Sequence, residues 1–466
     1  MSSRTAFICA LLLCVVHFVL SLVFSAATPY RTAGVLLGQR DPNTGGPQFA
    51  KDIGAPDERQ HANYVQRLMD GRGFGVLGDP SEDPYENYQA HQPPLYYILS
   101  AAVGKVIGAN PASAESPSAN LRAVNGLIGA AGVLGVYFLL AWGLGRPDLG
   151  AIAAAIPALL PMNVALSGAM SNDPLLIALC TWTVAVLALC MREGWTMKRS
   201  VVIGVLIGAA LLTKSTALAL VPVALLAGLV LSKDRAPAKL IGVSAAIALL
   251  MVTPWWVRNQ KLYGDPLALK AFNAAFTGNP TRELMTEVAA AEPDASLPPA
   301  IRYWTDWVGW WVGRSTVGAF GYMDVFMNER GVPSTGPRNP NLLYRLCLVA
   351  LLGLLAAATL GWGHLTGDDE LAPPLRKVLA VLSVTVAILF VGFTMKYFQG
   401  QARYIFPAMA AISTSLALGL WVATKRNAVA SLVIAVVALG YLDFVALNTM
   451  KTEFPKRIQA GSVQPG

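Results

Sequence analysis

Charge is scarce in this sequence. Asp, Glu, Lys and Arg make up 13% of the 466 residues, where a soluble domain carries about 25%. With 55% hydrophobic residues, a mean hydropathy of +0.50 and repeated apolar runs of about 20 residues, the chain reads as a polytopic helical membrane protein. Cysteine is also sparse. Cys9, Cys14, Cys180, Cys190 and Cys347 all lie inside apolar runs, and none has the C-x-x-C spacing of a metal or redox centre, so they read as small hydrophobes. No Walker motif, H-E-x-x-H or G-x-S-x-G occurs, and Gly71-Arg72-Gly73-Phe74-Gly75 follows no strand, so a nucleotide fingerprint is absent. The net charge of +8 is spread without any dense Lys/Arg run, which points to positive cytoplasmic loops and away from nucleic acid. There is no internal repeat, coiled coil or sizeable soluble domain.

What is present is a series of apolar segments. Spans are expected at 5–27, 120–144, 149–170, 174–191, 200–213, 215–232, 239–256, 341–363, 376–395, 403–422 and 428–449. Ser25-Ala26-Ala27 faintly resembles a signal-peptidase site, but the preceding run exceeds the ~7–15 residues of a signal core, so an uncleaved first span is expected. Segment 93–108 is short, starts at Pro93-Pro94 and ends at Gly108-Ala109-Asn110-Pro111, which suits a re-entrant or interfacial helix. The positive-inside rule decides its topology. If 93–108 does not cross and the N-terminus is cytoplasmic, Arg146, Arg192, Lys198, Arg199, Lys233, Arg235, Lys239, Arg376, Lys377, Lys425 and Arg426 all fall in cytoplasmic connections. If it crosses, that bias inverts. The expectation is therefore an all-α bundle of about eleven spans. Its long loops 28–119 and 257–340, the Ser171–Asp173 turn, Lys214 and the 396–403 turn then share the exoplasmic face. The corresponding division is a module over 1–256 that includes the first long loop, an aromatic-rich loop over 257–340, and C-terminal helices with a short polar tail over 341–466.

The first long loop carries Pro56-Asp57-Glu58-Arg59-Gln60-His61. Ala62, Val65, Leu68 and Met69 recur at helical spacing, so 57–70 reads as an amphipathic surface helix with Asp57 at its N-cap. The second loop holds Tyr303, Trp304, Trp307, Trp310, Trp311, Phe320 and Tyr322, a density that suits a helix lying among headgroups.

Each polar candidate has a plain reading and a chemical one. Asp57 and Glu58 can cap a helix and complement its dipole; alternatively, a carboxylate at the water–lipid boundary can act as a general base or bind a metal. Of four histidines, His17 lies in a span and His364 in a cytoplasmic turn, leaving His61 and His91 near the acidic pair. Asp173 caps the helix that begins at Pro174, and a cap on this face can also turn toward a site. Lys214, Arg258 and Arg403-Tyr404 are cations at a membrane boundary where positive charge is otherwise sparse. They can snorkel or bind a lipid phosphate.

The order of these motifs resembles a known family. Pro56–His61, then His91-Gln92-Pro93-Pro94-Leu95-Tyr96-Tyr97, then Ser171-Asn172-Asp173-Pro174, then Trp255–Pro266, then Gln401–Pro407, with an aromatic stretch from Trp310 to Asp324, is similar to GT-C fold multi-spanning glycosyltransferases. The resemblance is to bacterial relatives of the protein O-mannosyltransferase and aminoarabinose-transferase group. It implies a polyprenyl-phosphate-linked sugar donor and inverting transfer to an acceptor hydroxyl on a lipid, glycan or protein. Carried over, Asp57 is the base with Glu58 its neighbour, and His61, His91, Tyr96, Lys214, Arg258, Arg403 and Tyr404 are substrate-binding. Asp57, His91 and Asp173 form a candidate ligand set for a divalent ion (Mg, Mn or Zn). The expected location is a bacterial inner membrane with a periplasmic or extracellular active site. The extra soluble domain of protein-modifying mannosyltransferases is missing. The readings that compete are a transporter or flippase of a lipid-linked or anionic substrate, and a polysaccharide polymerase or ligase.

Overall fold

The computed structural model describes residues 1–40, 47–114, 118–231, 238–276, 280–291, 297–328 and 341–462. The chain opens with α1 (Ser3–Ala27), a short antiparallel pair β1 (Gly34–Arg40) and β2 (Pro47–Ala50), the surface helix α2 (Glu58–Met69) and the short α3 (Leu95–Ile107). Next come α4 (Ser118–Gly143), α5 (Pro147–Leu159), α6 (Pro161–Ser167), α7 (Asp173–Glu193), α8 (Met197–Leu211), α9 (Leu220–Leu225) and α10 (Ala238–Tyr263). The second loop holds α11 (Leu269–Ala275), α12 (Arg282–Ala291), α13 (Pro299–Arg302), α14 (Trp310–Val317) and the hairpin β3 (Ala319–Phe320) with β4 (Val325–Phe326). The chain closes with α15 (Leu342–Asp368), α16 (Ala372–Thr394), α17 (Met409–Ala423) and α18 (Ala428–Ser462). Apart from the two small strand pairs, the architecture is helical, as the composition implies.

Among the described residues eight helices are long and apolar enough to cross a membrane, and α5 with α6 makes a ninth if that pair, bent by 66°, is one span. The expected segments 200–213 and 215–232 are shorter helices that meet at Lys214. At 15 residues, α8 extends about 22 Å, less than a hydrocarbon core of about 30 Å. The 13 residues of α3 make about 20 Å, in keeping with a segment that does not cross. Lys233 and Arg235 lie outside the described residues.

The α5–α6 break has a local cause. Pro161 has no N–H for the Pro157 carbonyl four residues back, and the Asn163 amide takes that carbonyl at 2.8 Å instead. His17 of α1 bonds the next carbonyl, Ala158, at 3.0 Å and Ser167 Oγ at 3.1 Å. Backbone that would be unsatisfied in lipid is thereby met by neighbouring helices. Close approach also depends on small residues: a Cβ on Gly129 would lie 2.4 Å from Ser167 Oγ, and one on Gly419 would lie 2.0 Å from the Leu354 carbonyl oxygen.

The C-terminal segment is more structured than its polar composition suggests. The 35 residues of α18 reach about 52 Å, beyond the thickness of a bilayer core. Its last turns carry Arg457, 1% exposed, between Asp324 at 3.1 Å and Glu453 at 3.1 Å. Arg457 also donates to the Asp324 backbone carbonyl at 2.8 Å. These bonds tie α18 to the β3–β4 hairpin, whose tip residues Tyr322 and Met323 line the central cavity.

The second-loop aromatics turn inward more than a headgroup belt would. Tyr303 is buried, with its hydroxyl donating to the Thr394 carbonyl at 2.6 Å. Trp310 and Trp311 pack on Phe326 with centroids 5.6 and 5.3 Å away.

Candidate functional site

Asp57 precedes α2 with φ of +61°, a left-handed conformation that Asp tolerates better than most residues. Its side chain makes no capping bond to α2. Instead Oδ2 accepts from Arg403 Nη2 at 2.5 Å. Asp173 does not cap either: it is the first helical residue of α7, with Asn172 before it. Asp173 Oδ1 accepts from Lys214 Nζ at 2.6 Å, and its Oδ2 lies 3.6 Å from Arg403 Nη1. Four segments far apart in sequence thus bring two carboxylates and two cations together with no net charge. The Asp57 side chain is 29% exposed and that of Asp173 2%. Asp57 therefore faces the cavity and Asp173 braces the cations from behind.

Breaks in the helices place the cations. Lys214 follows the end of α8 in extended backbone. The carbonyls freed there are taken by the Leu95 N–H at 2.9 Å, onto Leu212, and by the Asn172 amide at 3.2 Å, onto Thr213. Arg403 sits on a one-turn helix, Ala402–Tyr404. Ser315 Oγ anchors that turn, donating to the Gly400 carbonyl and accepting from the Ala402 N–H, both at 2.8 Å. Arg403 Nε has no partner among the described residues.

The histidines flank this network. His61 Nδ1 meets the Tyr97 hydroxyl at 2.8 Å. Burial pushes its imidazole down to about 4, against the opposing pull of Asp57 and Asp173. His91 Nδ1 meets the Tyr88 carbonyl at 2.9 Å, and burial pushes this ring down to about 4 as well. Burial alone would raise the Asp57 carboxyl, but Arg403, His61 and Lys214 together hold it below its ordinary value. At neutral pH the pocket therefore contains ionised Asp57 and two neutral imidazoles.

Asp57, His61, His91, Lys214, Arg403 and Tyr404 all line one cavity of about 1140 Å³. Beyond the charged end its walls are aromatic. Phe272 and Phe276 stack at 4.8 Å, Phe276 meets Tyr397 at 4.7 Å, and Phe393 stacks on Tyr404 at 5.8 Å. Trp255, Trp256, Ile388 and Leu389 extend the apolar surface. One end of the cavity suits an anion and the other a chain of hydrocarbon.

Four sequence expectations need correction. Glu58 is not beside Asp57 in the cavity but buried beneath α2, where Arg122 clamps it at 2.7 and 2.6 Å and the Met170 N–H reaches it at 2.8 Å. Consecutive residues at a helix start point in different directions, so adjacency in sequence separates their roles. Arg258 does not reach the cavity wall; it donates to the Gly75 carbonyl at 2.6 Å and lies 4.5 Å from the Trp255 ring centre. Tyr96 is 1% exposed and packs against Tyr97 and His61 in the α2–α3 core. Asp57, His91 and Asp173 do not form a ligand set: among the described residues no group of three or more His, Cys, Asp or Glu is arranged to hold a metal ion. Cations already occupy oxygens of both carboxylates.

Sequence reading overlooked Arg122, Gln60, Tyr97 and the Phe272/Phe276 pair. Two of these left a trace: Arg122 is a lone cation in an apolar helix, and Phe272/Phe276 share an i,i+4 spacing.

Residues 91–257 match the family model described as dolichyl-phosphate-mannose-protein mannosyltransferase. Among curated proteins none matches the chain. The archaeal oligosaccharyltransferase AglB from Archaeoglobus fulgidus, solved with an inhibitory peptide and a dolichol-phosphate, aligns with a TM-score of 0.54 at 15% identity over 95% of this chain and 56% of its own. The same enzyme solved with Zn and sulfate aligns with a TM-score of 0.53 at 15% identity, over 95% and 53%. ArnT from Cupriavidus metallidurans in the apo state gives 0.45 at 14% identity, over 97% and 78%. The chain spans about half the length of the oligosaccharyltransferase. It therefore has the GT-C fold of a multi-spanning membrane protein and, over residues 91–257, the sequence pattern of the dolichyl-phosphate-mannose-protein mannosyltransferases.

Proposed function

We propose that this protein is a membrane glycosyltransferase that moves a sugar from a polyprenyl-phosphate donor to an acceptor hydroxyl with inversion. The observation that carries the reading is the neutral Asp57–Arg403–Asp173–Lys214 network at the head of an aromatic-walled cavity. A lipid phosphate at that position is attracted by Arg403 and Lys214, and the isoprenoid chain lies along Phe272, Phe276 and Phe393. The dolichol-phosphate bound to the archaeal neighbour and the mannosyltransferase pattern over 91–257 agree with such a donor.

In the transfer step the acceptor oxygen attacks the anomeric carbon and gives its proton to Asp57. The bond from that carbon to the phosphate oxygen breaks on the opposite face. The leaving phosphate takes the electron pair, and Arg403 and Lys214 stabilise its charge. Phosphate arrival draws Arg403 away from Asp57 and leaves the carboxylate free to accept the proton. Asp173 holds the cations in place, and neutral His61 and His91 offer ring nitrogens to sugar hydroxyls. The donor set around Asp57 and Asp173 does not fit a resident metal ion, so no step is routed through one. The charge bias of the connecting segments supports a cytoplasmic N-terminus and an exoplasmic active site, and the membrane we propose is a bacterial inner membrane.

The test is consumption of a panel of polyprenyl-phosphate sugars by the purified protein and by Asp57→Asn. Loss of the base should cost about 10²–10⁴-fold in turnover. Equal rates in the two proteins remove Asp57 as the base. Movement of lipid across vesicles without sugar transfer would favour the transporter.

A further inference from the structure

A second cavity, of about 400 Å³, opens beside the first on the outer side of α2. Gln60 and Gln89 line both cavities and form the wall between them. Each is more than nine-tenths buried, and the Oε1 atom of each has no hydrogen-bond partner among the described residues. The Tyr64 hydroxyl and Gln66 Oε1 also have no hydrogen-bond partner among the described residues, and both residues line the second cavity. A buried polar atom without a partner costs about 1–3 kcal/mol, and four such atoms belong to side chains that line this polar groove.

The helix sets the direction of the groove. Asp57, Gln60, Tyr64 and Arg67 follow one another at spacings of three and four, so they form one stripe along α2. The stripe runs from the catalytic carboxylate outward over about 15 Å. The chemistry of the groove is unlike that of the lipid end. Its apolar side chains are no larger than those of Ala90 and Ala112, apart from the ring of Tyr64. Its acids are already paired: Glu82 with Arg67, Glu86 with Arg59 and Asp83 with Lys51. A lipid tail has no surface to bury there, and a peptide has no apolar side-chain pocket to fill. Uncharged amides, a phenol and a hydroxyl are what a polyhydroxylated ligand needs.

We infer that this groove is the acceptor site and that the acceptor is a glycan. It lies along the outer face of α2, with its terminal hydroxyl passing between Gln60 and Gln89 to Asp57. The inference rests on the glycosyltransferase reading, and the experiment separates the two.

The full chain in nanodiscs is given undecaprenyl-phosphate carrying mannose, glucose or 4-amino-arabinose, with linear hexose hexasaccharides or a Ser/Thr-rich peptide as acceptor. The exposed Ser81 on the groove rim is changed to Ser81→Cys, and maleimide labelling of that position is followed by mass spectrometry. The expected result is Asp57-dependent donor consumption, glycosylated oligosaccharide, and at least fivefold slower labelling with oligosaccharide but not with peptide. Gln66→Leu should raise the oligosaccharide KM about tenfold, the loss of about 1.4 kcal/mol of binding, without moving the donor KM. Asp57-dependent transfer to peptide, lipid or water, with labelling indifferent to oligosaccharide, overturns the groove and leaves the enzyme. Absence of Asp57-dependent consumption for every donor overturns the transferase reading and the acceptor role with it.

Discussion

Removing Arg122 should do more harm than neutralising its partner Glu58, and the difference can be worked out from their bonds. The two side chains are 4% and 1% exposed. Glu58→Gln leaves the guanidinium with the carbonyls of Ser25, Thr28 and Pro29 at 2.8, 3.1 and 3.1 Å, so most of its donors stay satisfied. The expected loss is about 1–3 kcal/mol. Arg122→Met leaves a buried carboxylate with the Met170 N–H as its remaining donor among the described residues, and a buried charge stripped of its partner costs about 3–5 kcal/mol. It also frees the carbonyls that end α1. The double variant should recover part of that loss, because no charge is left stranded. Since membrane proteins often unfold irreversibly, the assay is the half-life of folded protein in detergent at fixed temperature, measured beside donor turnover. The expected order of half-lives is wild type, Glu58→Gln, double variant, Arg122→Met, with residual turnover following the folded fraction. A Glu58→Gln protein of unchanged half-life and abolished turnover would refute the reasoning and return Glu58 to the chemistry.

Arg403→Gln should lower kcat/KM for the lipid-linked donor by about 10²–10³-fold, the scale of losing one donor aimed at developing charge, in a steady-state assay; an unchanged value would detach the phosphate from this end of the cavity. His61 sits near 4 in the folded protein against about 6.5 unfolded, so between those values the unfolded chain binds the additional proton. Its contribution to stability is complete above about 6.5 and is lost as pH falls toward 4; half-lives across that range should fall less steeply in His61→Gln, with His91, also near 4, supplying the remaining slope. Phe276→Ser should raise KM about tenfold, equivalent to about 1.4 kcal/mol, for a long polyprenyl donor while leaving a short-chain analogue unaffected, which a chain-length series would show.

Much of the membrane architecture was legible because it follows from local composition. An apolar run of sufficient length must be a helix in lipid, and α1, α4, α7 and the C-terminal helices lie where the runs are. The breaks at Pro161 and Lys214 were less legible, since whether an interrupted run crosses depends on what satisfies the freed carbonyls. Asn163, His17, Leu95 and Asn172 answer that from distant parts of the chain. Asp57, His61 and His91 could be nominated because they stand in short polar motifs of the first long loop, and Lys214 and Arg403 because they are cations beside apolar runs. The roles of Glu58, Arg258 and Tyr96 could not be read the same way, because a residue's neighbours in sequence do not reveal which way its side chain turns.

The sequence by itself determined a multi-spanning helical protein with its unusual polar residues in a few short motifs, because hydrophobic periodicity and charge scarcity act within tens of residues. Tertiary structure decided that Asp57 faces the cavity while Glu58 supports α2 from below, and that Asp173 braces two cations. It also carried the C-terminal helix to the β3–β4 hairpin and left two glutamines between an aromatic-walled cavity and a polar groove. Those outcomes depend on side chains separated by up to 346 positions, as in the Arg403–Asp57 bond, and only folding brings them within the few ångströms over which hydrogen bonds and ion pairs act.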